Sequence, residues 1–544
     1  MLGLMQHQPL LISSLLEHAC VSHPDAEIVS RLAGGVVHRC TYADIGHRAR
    51  QIANTLTNLG VQPGERIGTL AWNGYRHMEL YFGVSGMGAV LHTINPRLFP
   101  EQIEFIANHA EDQYLFFDLS FAALVEELAS KLPTVKSFIA LCDRASMPDI
   151  KVANLHCYEE LLADQSTQFD WPLLDENSAS SMCYTSGTTG NPKGVLYSHR
   201  SSVLHSLTSC TPGGFALSAN DVALIVVPMF HVNAWGMPYA GALCGARLVL
   251  PGAVTDGATL YELMRDEGVT LALGVPTVWM MLQQHIESAG LQPRDELCLD
   301  RVVIGGAAAP RAVVECFERQ FDARVIHVWG MTEMSPLGTV CHPLPKHAAA
   351  NLEQRLELQS KQGRAPFGVS MKIIDGEGRS LPRDGKAFGH LLVKGPWIAS
   401  SYFGGEGGLI LDRDGWFDTG DIATIDPDGY MQITDRAKDV IKSGGEWISS
   451  IDLENAVIGH PAVAEAAVIG IAHPKWQERP LLVVVLKAGR SASREVLLDF
   501  LTEKVARWWL PDDVVFVDEI PHTATGKVQK LKLREMFRDY RLPA

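Results

Sequence analysis

Short apolar runs alternate with stretches of helical period through most of this sequence. This alternation limits the folds that the chain can adopt more than any other feature does. In the first third, helix-like stretches separate candidate strands at 66–72, 88–94, 114–118 and 137–141. The alternation resumes further along, with candidate buried strands at 224–228, 247–251, 271–274, 301–305 and 324–328. A β–α rhythm of this kind predicts parallel sheets covered by helices.

A second pattern begins near residue 340. Short candidate strands divided by Gly, Asp and Pro lie at 371–375, 390–395, 422–426 and 430–434, which predicts a small antiparallel sheet or barrel. Beyond residue 435, helix-like and strand-like segments mix as in a small α+β unit. A chain of 544 residues exceeds what one hydrophobic core usually supports. We therefore predict an N-terminal domain over 1–434, with the barrel part at about 340–434, and a C-terminal domain over 435–544.

The charge balance of the chain is acidic. It carries 46 Lys and Arg against 62 Asp and Glu, a formal net charge of −16. This balance argues against a general nucleic-acid-binding protein, which needs a basic face. The ten cysteines include no C-x-x-C pair. The start of the chain lacks the basic segment of a signal peptide, and no apolar run is long enough to span a bilayer. We expect a cytoplasmic protein without a transmembrane segment.

The sequence YTSGTTGNPKG at 184–194 is the strongest local signal for a bound ligand. Its glycines let the backbone turn N–H groups toward an anion, its Ser and Thr residues add hydroxyl donors, and Lys193 adds a positive charge. Taken alone, this composition also suits a flexible surface loop. Pro192 and Gly194 stand where a Walker A loop requires Gly and Ser or Thr, which disfavours a P-loop kinase or ATPase. Strand-like segments on both sides predict a hairpin-like phosphate loop.

Further motifs follow this loop in order: GGAAAP at 305–310, WGMTE at 329–333, WFDTGD at 416–421, DRAKDVIKSGGEWIS at 435–449 and PHTATGK at 521–527. Together they resemble the signature of the AMP-forming acyl-CoA synthetases, a family shared with firefly-type luciferases and the adenylation domains of non-ribosomal peptide synthetases. The resemblance spans nearly the whole chain. It implies an α/β fold whose large N-terminal region has two doubly wound sheets and a distorted β-barrel. A small mobile α+β C-terminal domain follows.

The resemblance also implies a reaction in two halves that uses ATP, Mg²⁺ and coenzyme A. In the first half, a carboxylate attacks the α-phosphate of ATP and gives acyl-AMP and pyrophosphate. In the second half, the thiol of coenzyme A displaces AMP. The expected partners are a small-molecule carboxylic acid, ATP and coenzyme A, with no nucleic acid. A homodimer is compatible with this family.

The residues matched to the nucleotide site lie within these motifs. By resemblance, Thr185 and Glu333 hold Mg²⁺, a hard cation that suits oxygen ligands, and Thr332 hydrogen-bonds the α-phosphate. Asp421 matches the carboxylate that accepts both ribose hydroxyls. Trp329 replaces the usual Tyr of the family, which keeps an aromatic face for adenine but removes a hydroxyl. The full ATP- and AMP-binding set is Thr185, Ser186, Gly187, Thr188, Thr189, Gly190, Lys193, Gly306, Ala307, Ala308, Trp329, Gly330, Met331, Thr332, Asp421, Arg436 and Lys527.

The residues expected to act in catalysis are Lys527, His231, Thr332 and Glu333. Lys527 matches the lysine that bridges the α-phosphate and carboxylate oxygens in the first half-reaction, where it favours the transition state over the ground state. His231 matches a gate between the nucleotide and the acyl or thiol channels. It is not assigned as a general base, because a carboxylic acid is already ionised at neutral pH.

The segment that starts at residue 435 is matched to the domain hinge and the coenzyme A site. Asp435 is the expected hinge, about which the C-terminal domain rotates between the half-reactions. Gly444 and Gly445 permit close approach of the thin pantetheine chain. The full set is Asp435, Lys438, Lys442, Ser443, Gly444, Gly445, Glu446 and Trp447.

The acyl pocket is expected at His231, Trp235, Gly305 and Pro336. An apolar pocket without a buried acidic partner argues against amino-acid substrates. Residues 1–19, 92–102 and 228–236 resemble a subgroup that contains bacterial medium-chain acyl-CoA ligases and 3-methylmercaptopropionate-CoA ligases. The choice among a medium-chain fatty acid, 3-methylmercaptopropionate and an aryl acid stays open.

Two alternatives form the same adenylate. A luciferase-type oxygenase would go on to consume O₂. A carrier-protein acyl-AMP ligase would need a partner in trans, because no carrier domain is recognisable at the C-terminus. A serine hydrolase is dismissed, since the sequence has no G-x-S-x-G elbow.

Overall fold

The computed structural model describes residue 1 and residues 3–185, 191–443, 446–522 and 528–542, with the side chains of residues 446 and 447 excepted. Two mostly parallel sheets occupy the part before residue 341, as the β–α alternation predicts. The first runs in the spatial order Leu155–Cys157, Ser137–Ala140, Tyr114–Phe117, Arg66–Leu70, Val90–Thr93, Ala179–Tyr184 and Gly194–Ser198. The last two strands form an antiparallel hairpin, and the other neighbours are parallel.

The second sheet has parallel strands in its centre and an antiparallel pair at each edge. Its spatial order is Leu337–Val340, Arg324–Gly330, Arg301–Ile304, Leu271–Gly274, Val222–Ile225, Arg247–Leu250, Glu27–Arg31 and Val37–Thr41. The parallel strands are buried almost continuously, which is why the sequence shows apolar runs rather than alternation there.

The two sheets share one layer of helices. This layer consists of Ile12–Ser22, Tyr42–Asn58, Tyr75–Gly86, Tyr158–Ala163, His199–Cys210 and Met237–Cys244. Its apolar side chains form one buried cluster with residues from both sheets, such as Ile67 of the first and Leu248 of the second. Because the same helices pack on both sheets, the relative position of the two sheets is fixed by a single core.

Other helices cover the outer faces. On the first sheet these are Pro100–His109 and Ala122–Leu128. On the second sheet they are Gly257–Glu267, Pro276–Ala289, Arg311–Cys316 and Leu352–Gln359, with the short helix Pro293–Glu296 in a connection. No helix within these described ranges is both long and apolar enough to cross a membrane.

A four-stranded antiparallel sheet follows among the described residues, where the sequence predicts an antiparallel sheet or barrel. Its strands are Ser370–Ile374, Phe388–Lys394, Phe417–Ile425 and Met431–Arg436, in that order. Isolated bridges from Val340 to Arg364 and from Gly363 to Met431 extend it toward the edge of the second parallel sheet. The sheet therefore places residues 417–436 beside the end of strand Arg324–Gly330.

The C-terminal part forms a mixed sheet with helices. The sheet runs in the order Glu446–Ile448, Ile441–Ser443, Gln477–Leu486 and Val463–His473, and Asp513–Phe516 pairs in parallel with Gln477–Leu486. The helices are Ser450–Ile458, Arg494–Thr502 and Lys530–Met536. Their apolar residues form clusters of their own with this sheet, as expected for a separate unit. The boundary at residue 435 stays a prediction.

Helices Tyr42–Asn58 and Tyr75–Gly86 lie close together at Gly83. A Cβ at Gly83 would lie 2.8 Å from the carbonyl oxygen of Ala49 and 2.8 Å from Ile52. We expect Gly83→Ala to lower the melting temperature by roughly 2–5 °C, because the extra methyl overpacks the shared helical layer. Differential scanning calorimetry measures this. Gly74→Ala is the control, since a Cβ at this N-cap of the same helix meets no described atom within 4 Å. Equal melting temperatures for the two variants would contradict the close approach.

Candidate active site

The predicted phosphate loop is the turn of the antiparallel hairpin at the edge of the first sheet, which confirms the hairpin prediction. The N–H of Thr185 donates to the carbonyl oxygen of Lys193 at 2.9 Å. The N–H of Lys193 donates to Oγ1 of Thr185 at 3.1 Å. These two bonds close the base of the loop. Five residues predicted to bind the phosphates lie outside the described residues, and their anion contacts stay predictions: Ser186, Gly187, Thr188, Thr189 and Gly190.

Two tyrosines join this hairpin to the WGMTE motif. Tyr197, on the second hairpin strand, donates its hydroxyl to the carbonyl oxygen of Thr332 at 2.7 Å. Tyr402 donates its hydroxyl to Oε1 of Glu333 at 2.6 Å, and the Lys193 ammonium lies 4.8 Å from the centroid of the Tyr402 ring. Burial and the adjacent Glu333 carboxylate raise the pKa of Tyr402, which stays a neutral hydroxyl donor. The structure thus brings Thr185, Lys193, Thr332 and Glu333 into one region.

Thr332 and Glu333 start the short 3-10 turn Thr332–Met334, directly after strand Arg324–Gly330 and Met331. Both residues are buried. The backbone is fixed on both sides, because the N–H of Ala399 donates to the Glu333 carbonyl oxygen at 2.7 Å. No described lysine or arginine forms a salt bridge with the Glu333 carboxylate. A buried carboxylate in this position favours a cation.

Asp421 is buried, 2 % exposed, and its two carboxylate oxygens have different partners. The indole Nε1–H of Trp329 donates to Oδ2 at 3.0 Å, and Nε of Arg436 donates to Oδ1 at 2.9 Å. Asp421 and Arg436 face each other across strands Phe417–Ile425 and Met431–Arg436. The Trp329 indole thus orients the carboxylate that is matched to ribose. Its role as an aromatic face for adenine stays a prediction.

The matched adenine segment follows strand Arg301–Ile304. Gly306 has φ +83°, a left-handed conformation that favours glycine, and a Cβ there would lie 3.0 Å from Val275. Gly306 and Ala307 are exposed and Ala308 is half-buried, so their backbone is accessible. A cavity of about 430 Å³ lies beside Ala308, between this segment and helix Ser450–Ile458.

Three of the predicted acyl-pocket residues, Trp235, Gly305 and Pro336, take part in close contacts. The Trp235 indole lies over Gly305, since a Cβ at Gly305 would be 3.1 Å from Cη2 of Trp235. Gly330 lies against Pro336, since a Cβ there would be 2.0 Å from the Pro336 carbonyl oxygen. His231 precedes the turn Val232–Gly236 that carries Trp235. The predicted lining residues thus follow strands Val222–Ile225, Arg301–Ile304 and Arg324–Gly330 of the second sheet.

The turn Val232–Gly236 is left-handed. Val232, Asn233, Ala234 and Trp235 have φ between +44° and +54°, a conformation that costs non-glycine residues roughly 1–2 kcal/mol each. Asn233 anchors the turn: its Nδ2 donates to Oγ of Ser181 at 2.6 Å, and its Oδ1 accepts from Sγ of Cys183 at 3.2 Å. Nothing in the sequence pattern signals this turn.

The expected hinge residue Asp435 is 1 % exposed. Its Oδ2 accepts hydrogen bonds from the backbone N–H of Ser450 at 2.7 Å and from the Ser450 hydroxyl at 2.6 Å. Lys438 and Lys442 are exposed, and Ser443 is buried. Gly444, Gly445 and Lys527 lie outside the described residues, as do the side chains of Glu446 and Trp447. The predicted coenzyme A contacts and the position of Lys527 therefore stay predictions.

Sequence reasoning did not single out Tyr197, Tyr402, Asn233 and Ser450. Tyr197 follows the phosphate loop by three residues and Ser450 follows the hinge motif by one. Their position next to a motif is the one sequence signal that could have identified Tyr197 and Ser450. Tyr402 and Asn233 become recognisable only when distant segments are brought together.

The Trp329–Asp421 hydrogen bond is expected to strengthen the binding of AMP at the predicted nucleotide site. In Trp329→Phe, Asp421 keeps Arg436 but loses the indole donor, so the affinity for AMP should fall roughly tenfold, or about 1.4 kcal/mol. Isothermal titration calorimetry with AMP measures this. Trp476→Phe is the control, because Trp476 is 41 % exposed. Unchanged AMP affinity in Trp329→Phe would show that the indole donor does not serve the site.

Two family models match this chain. That of the AMP-binding enzymes covers residues 16–403, and that of the AMP-binding enzyme C-terminal domain covers residues 452–527. The chain is 52 % identical over 539 residues to the 3-methylmercaptopropionyl-CoA ligase of Ruegeria lacuscaerulensis, covering 99 % of each chain. It is 48 % identical over 539 residues to a medium-chain-fatty-acid–CoA ligase of Ectopseudomonas oleovorans, covering 99 % of this chain and 98 % of that one.

A solved structure agrees with the fold. The anthranilate CoA ligase AuaEII in complex with anthranoyl-AMP superimposes with a TM-score of 0.84 at 25 % identity, over 98 % of this chain and 99 % of that one. Both the sequence matches and the α/β architecture extend over nearly the full length. This chain belongs to the family of AMP-binding enzymes.

Proposed function

We propose that this chain is an ATP-dependent acid–CoA ligase, which forms an acyl adenylate and then an acyl-CoA thioester. The observation that carries the proposal is the joining of the phosphate hairpin to the WGMTE motif. Tyr197 and Tyr402 hold Thr332 and Glu333 beside Thr185 and Lys193. The buried, oriented carboxylate of Asp421 supplies the matching ribose end of a nucleotide site.

The phosphate end of this site suits Mg²⁺. Glu333 offers a buried carboxylate without a described cationic partner, and Thr185 offers a hydroxyl oxygen. Two protein oxygens are enough, because Mg²⁺ is commonly held by one or two side chains together with phosphates and water. Bound there by Glu333 and Thr185, the ion would supply positive charge that offsets the charge of the phosphates. Thr332, with its backbone fixed by Tyr197, is the proposed donor to the α-phosphate.

In the first half-reaction, the carboxylate of the acid attacks the α-phosphate and pyrophosphate departs. Negative charge grows on the α-phosphate oxygens as the two anions approach. Lys527 is the proposed residue that stabilises this charge, acting more strongly in the transition state than on bound ATP.

In the second half-reaction, the thiolate of coenzyme A attacks the acyl carbonyl and AMP departs. The proposed coenzyme A segment, residues 438–447, follows Asp435 directly. The part after the hinge folds around its own apolar clusters, which supports a C-terminal domain that rotates as a unit. The proposed boundary near residue 435 lies between the two matched family models, which end at 403 and begin at 452.

We place the substrate among short- and medium-chain carboxylic acids. Trp235 over Gly305 makes one wall of the proposed pocket apolar. The relatives at 52 % and 48 % identity are named for a short thioether acid and for medium-chain fatty acids. The short thioether acid and the medium-chain fatty acids are both apolar apart from one carboxylate, and neither carries a second charge. Since one methylene changes binding by only about 1–3 kcal/mol, we expect graded preferences rather than a single accepted acid.

A panel of acids tests the reaction. Linear acids from acetate to dodecanoate, 3-methylmercaptopropionate and benzoate are supplied with ATP and Mg²⁺, and AMP release is measured with and without coenzyme A. We expect AMP release that requires coenzyme A and is fastest with one short or medium-chain acid. Rapid AMP release without coenzyme A would contradict the ligase. Consumption of O₂ would instead support the luciferase-type alternative.

Lys527→Ala tests the proposed adenylation lysine. Acid-dependent exchange of pyrophosphate into ATP should fall by at least about 100-fold, the loss typical of removing a group that stabilises transition-state charge. Thioester formation from supplied acyl-AMP should remain within a few-fold of the wild type. Lys532→Ala, an exposed lysine on the following helix, is the matched control. Normal pyrophosphate exchange in Lys527→Ala would remove Lys527 from the first half-reaction.

A further inference from the structure

The carboxylate of Asp435 points away from the sheet to which its backbone belongs. Asp435 pairs with Ile422 in the four-stranded sheet. Its side chain accepts both of its Ser450 hydrogen bonds from the start of helix Ser450–Ile458, on the C-terminal side of the proposed hinge. The backbone carbonyl oxygen of the preceding residue, Thr434, accepts a further hydrogen bond from the Ser449 hydroxyl. The proposed hinge is therefore attached to the C-terminal domain by side chains.

Lys530 completes this attachment. Its ammonium contacts the Ser450 hydroxyl and lies 2.7 Å from Oε1 of Glu454. The Ser450 hydroxyl thus links Lys530 to Asp435. The Lys530 side chain is only 10 % exposed. An ammonium this deeply buried is stable only because carboxylates and a hydroxyl surround it.

Lys530 is also the first residue of helix Lys530–Met536, three positions after Lys527. One turn later on the same helix, Arg534 forms a 2.7 Å salt bridge with Asp439, four residues beyond Asp435. Two of the three cations of this helix are therefore linked to acids of the segment 435–439. Arg534 contacts Asp439 directly, and Lys530 reaches Asp435 through the Ser450 hydroxyl. The helix that follows the proposed catalytic loop is bound to the hinge at two consecutive turns.

We propose that Lys530 is a positioning residue for the first half-reaction: through Ser450 and Asp435, it ties the helix behind Lys527 to the hinge. This proposal rests on the proposed function and on its assignment of Lys527. Lys530 itself does not touch the reacting atoms. It fixes helix Lys530–Met536, which begins three residues after Lys527, relative to the proposed hinge. The second half-reaction does not use Lys527, so it should depend little on Lys530.

The charges around Lys530 predict a pH signature. The facing acids are Asp435, Asp439, Asp452 and Glu454, and the facing cations are Lys530 and Arg534. Burial raises the pKa values of Asp435 and Glu454, and Lys530 opposes that rise. Without Lys530 these carboxyls should protonate at a higher pH. The acid side of the adenylation profile should therefore move upward.

The test compares Lys530→Met, Lys530→Arg and Lys532→Met in the full-length chain. Methionine keeps the apolar stem and removes the charge, and arginine restores a cation. Lys532 is exposed on the same helix and serves as the control. Each variant is assayed for acid-dependent pyrophosphate exchange from pH 5 to 9, and for thioester formation from supplied acyl-AMP and coenzyme A.

For Lys530→Met we expect at least a tenfold loss of pyrophosphate exchange at pH 7.5. Its acid limb should shift toward higher pH, because the buried carboxyls lose a nearby opposite charge. Thioester formation should stay within threefold of the wild type. Lys530→Arg should recover most of the exchange activity, and Lys532→Met should match the wild type.

Several outcomes would overturn the positioning role. Equal loss of both half-reactions in Lys530→Met would show a merely structural lysine. If Lys530→Met kept full pyrophosphate exchange, or if the acid limb of its pH profile did not move, the link from Lys530 to Asp435 would have no part in positioning Lys527. A wild-type chain that lacks acid-dependent pyrophosphate exchange would instead refute the proposed function itself.

Discussion

The site depends on two parallel sheets that are held together by one shared layer of helices. Because a single apolar cluster contains residues from both sheets, the hairpin at the edge of the first sheet and the strand ends of the second keep a constant separation. The hydrogen bond from Tyr197 to Thr332 spans that separation. A rigid frame is needed here, since a displacement of about 1 Å can cost a hundredfold in rate.

Three buried carboxylates then receive defined partners, and each is held differently. Glu333 is held by a neutral tyrosine, which leaves its charge available for a cation. Asp421 lies between an indole and a guanidinium, which fixes the plane of its oxygens. The Asp435 carboxylate accepts a hydrogen bond from the Ser450 hydroxyl, which in turn accepts one from the Lys530 ammonium. The strength of hydrogen bonds in a low-dielectric interior makes such orientation effective.

Much of the fold follows from local pattern, because parallel strands buried on both faces appear as short apolar runs. The strands around 66–70 and 271–274 and the phosphate hairpin were predictable in this way. The strands Glu27–Arg31 and Val37–Thr41 were not: the first has only Ile28 and Val29 as apolar residues, and the second, at the edge of the sheet, is only partly buried. In the candidate site, motif matching located Glu333 and Asp421. The partners Tyr402 and Lys530 depend on contacts across 69 and 80 positions or more, which no local pattern encodes.

The left-handed turn at Val232–Trp235 has a consequence for selection on stability. Glycine adopts such φ angles at little cost, so glycine substitutions there would relieve backbone strain. They would also delete the Asn233 anchor or the Trp235 side chain that covers Gly305. Glycine substitutions chosen at this turn to raise thermal stability would therefore remove one wall of the proposed acyl pocket. Thermal stability and the proposed acid selectivity therefore compete at Asn233 and Trp235.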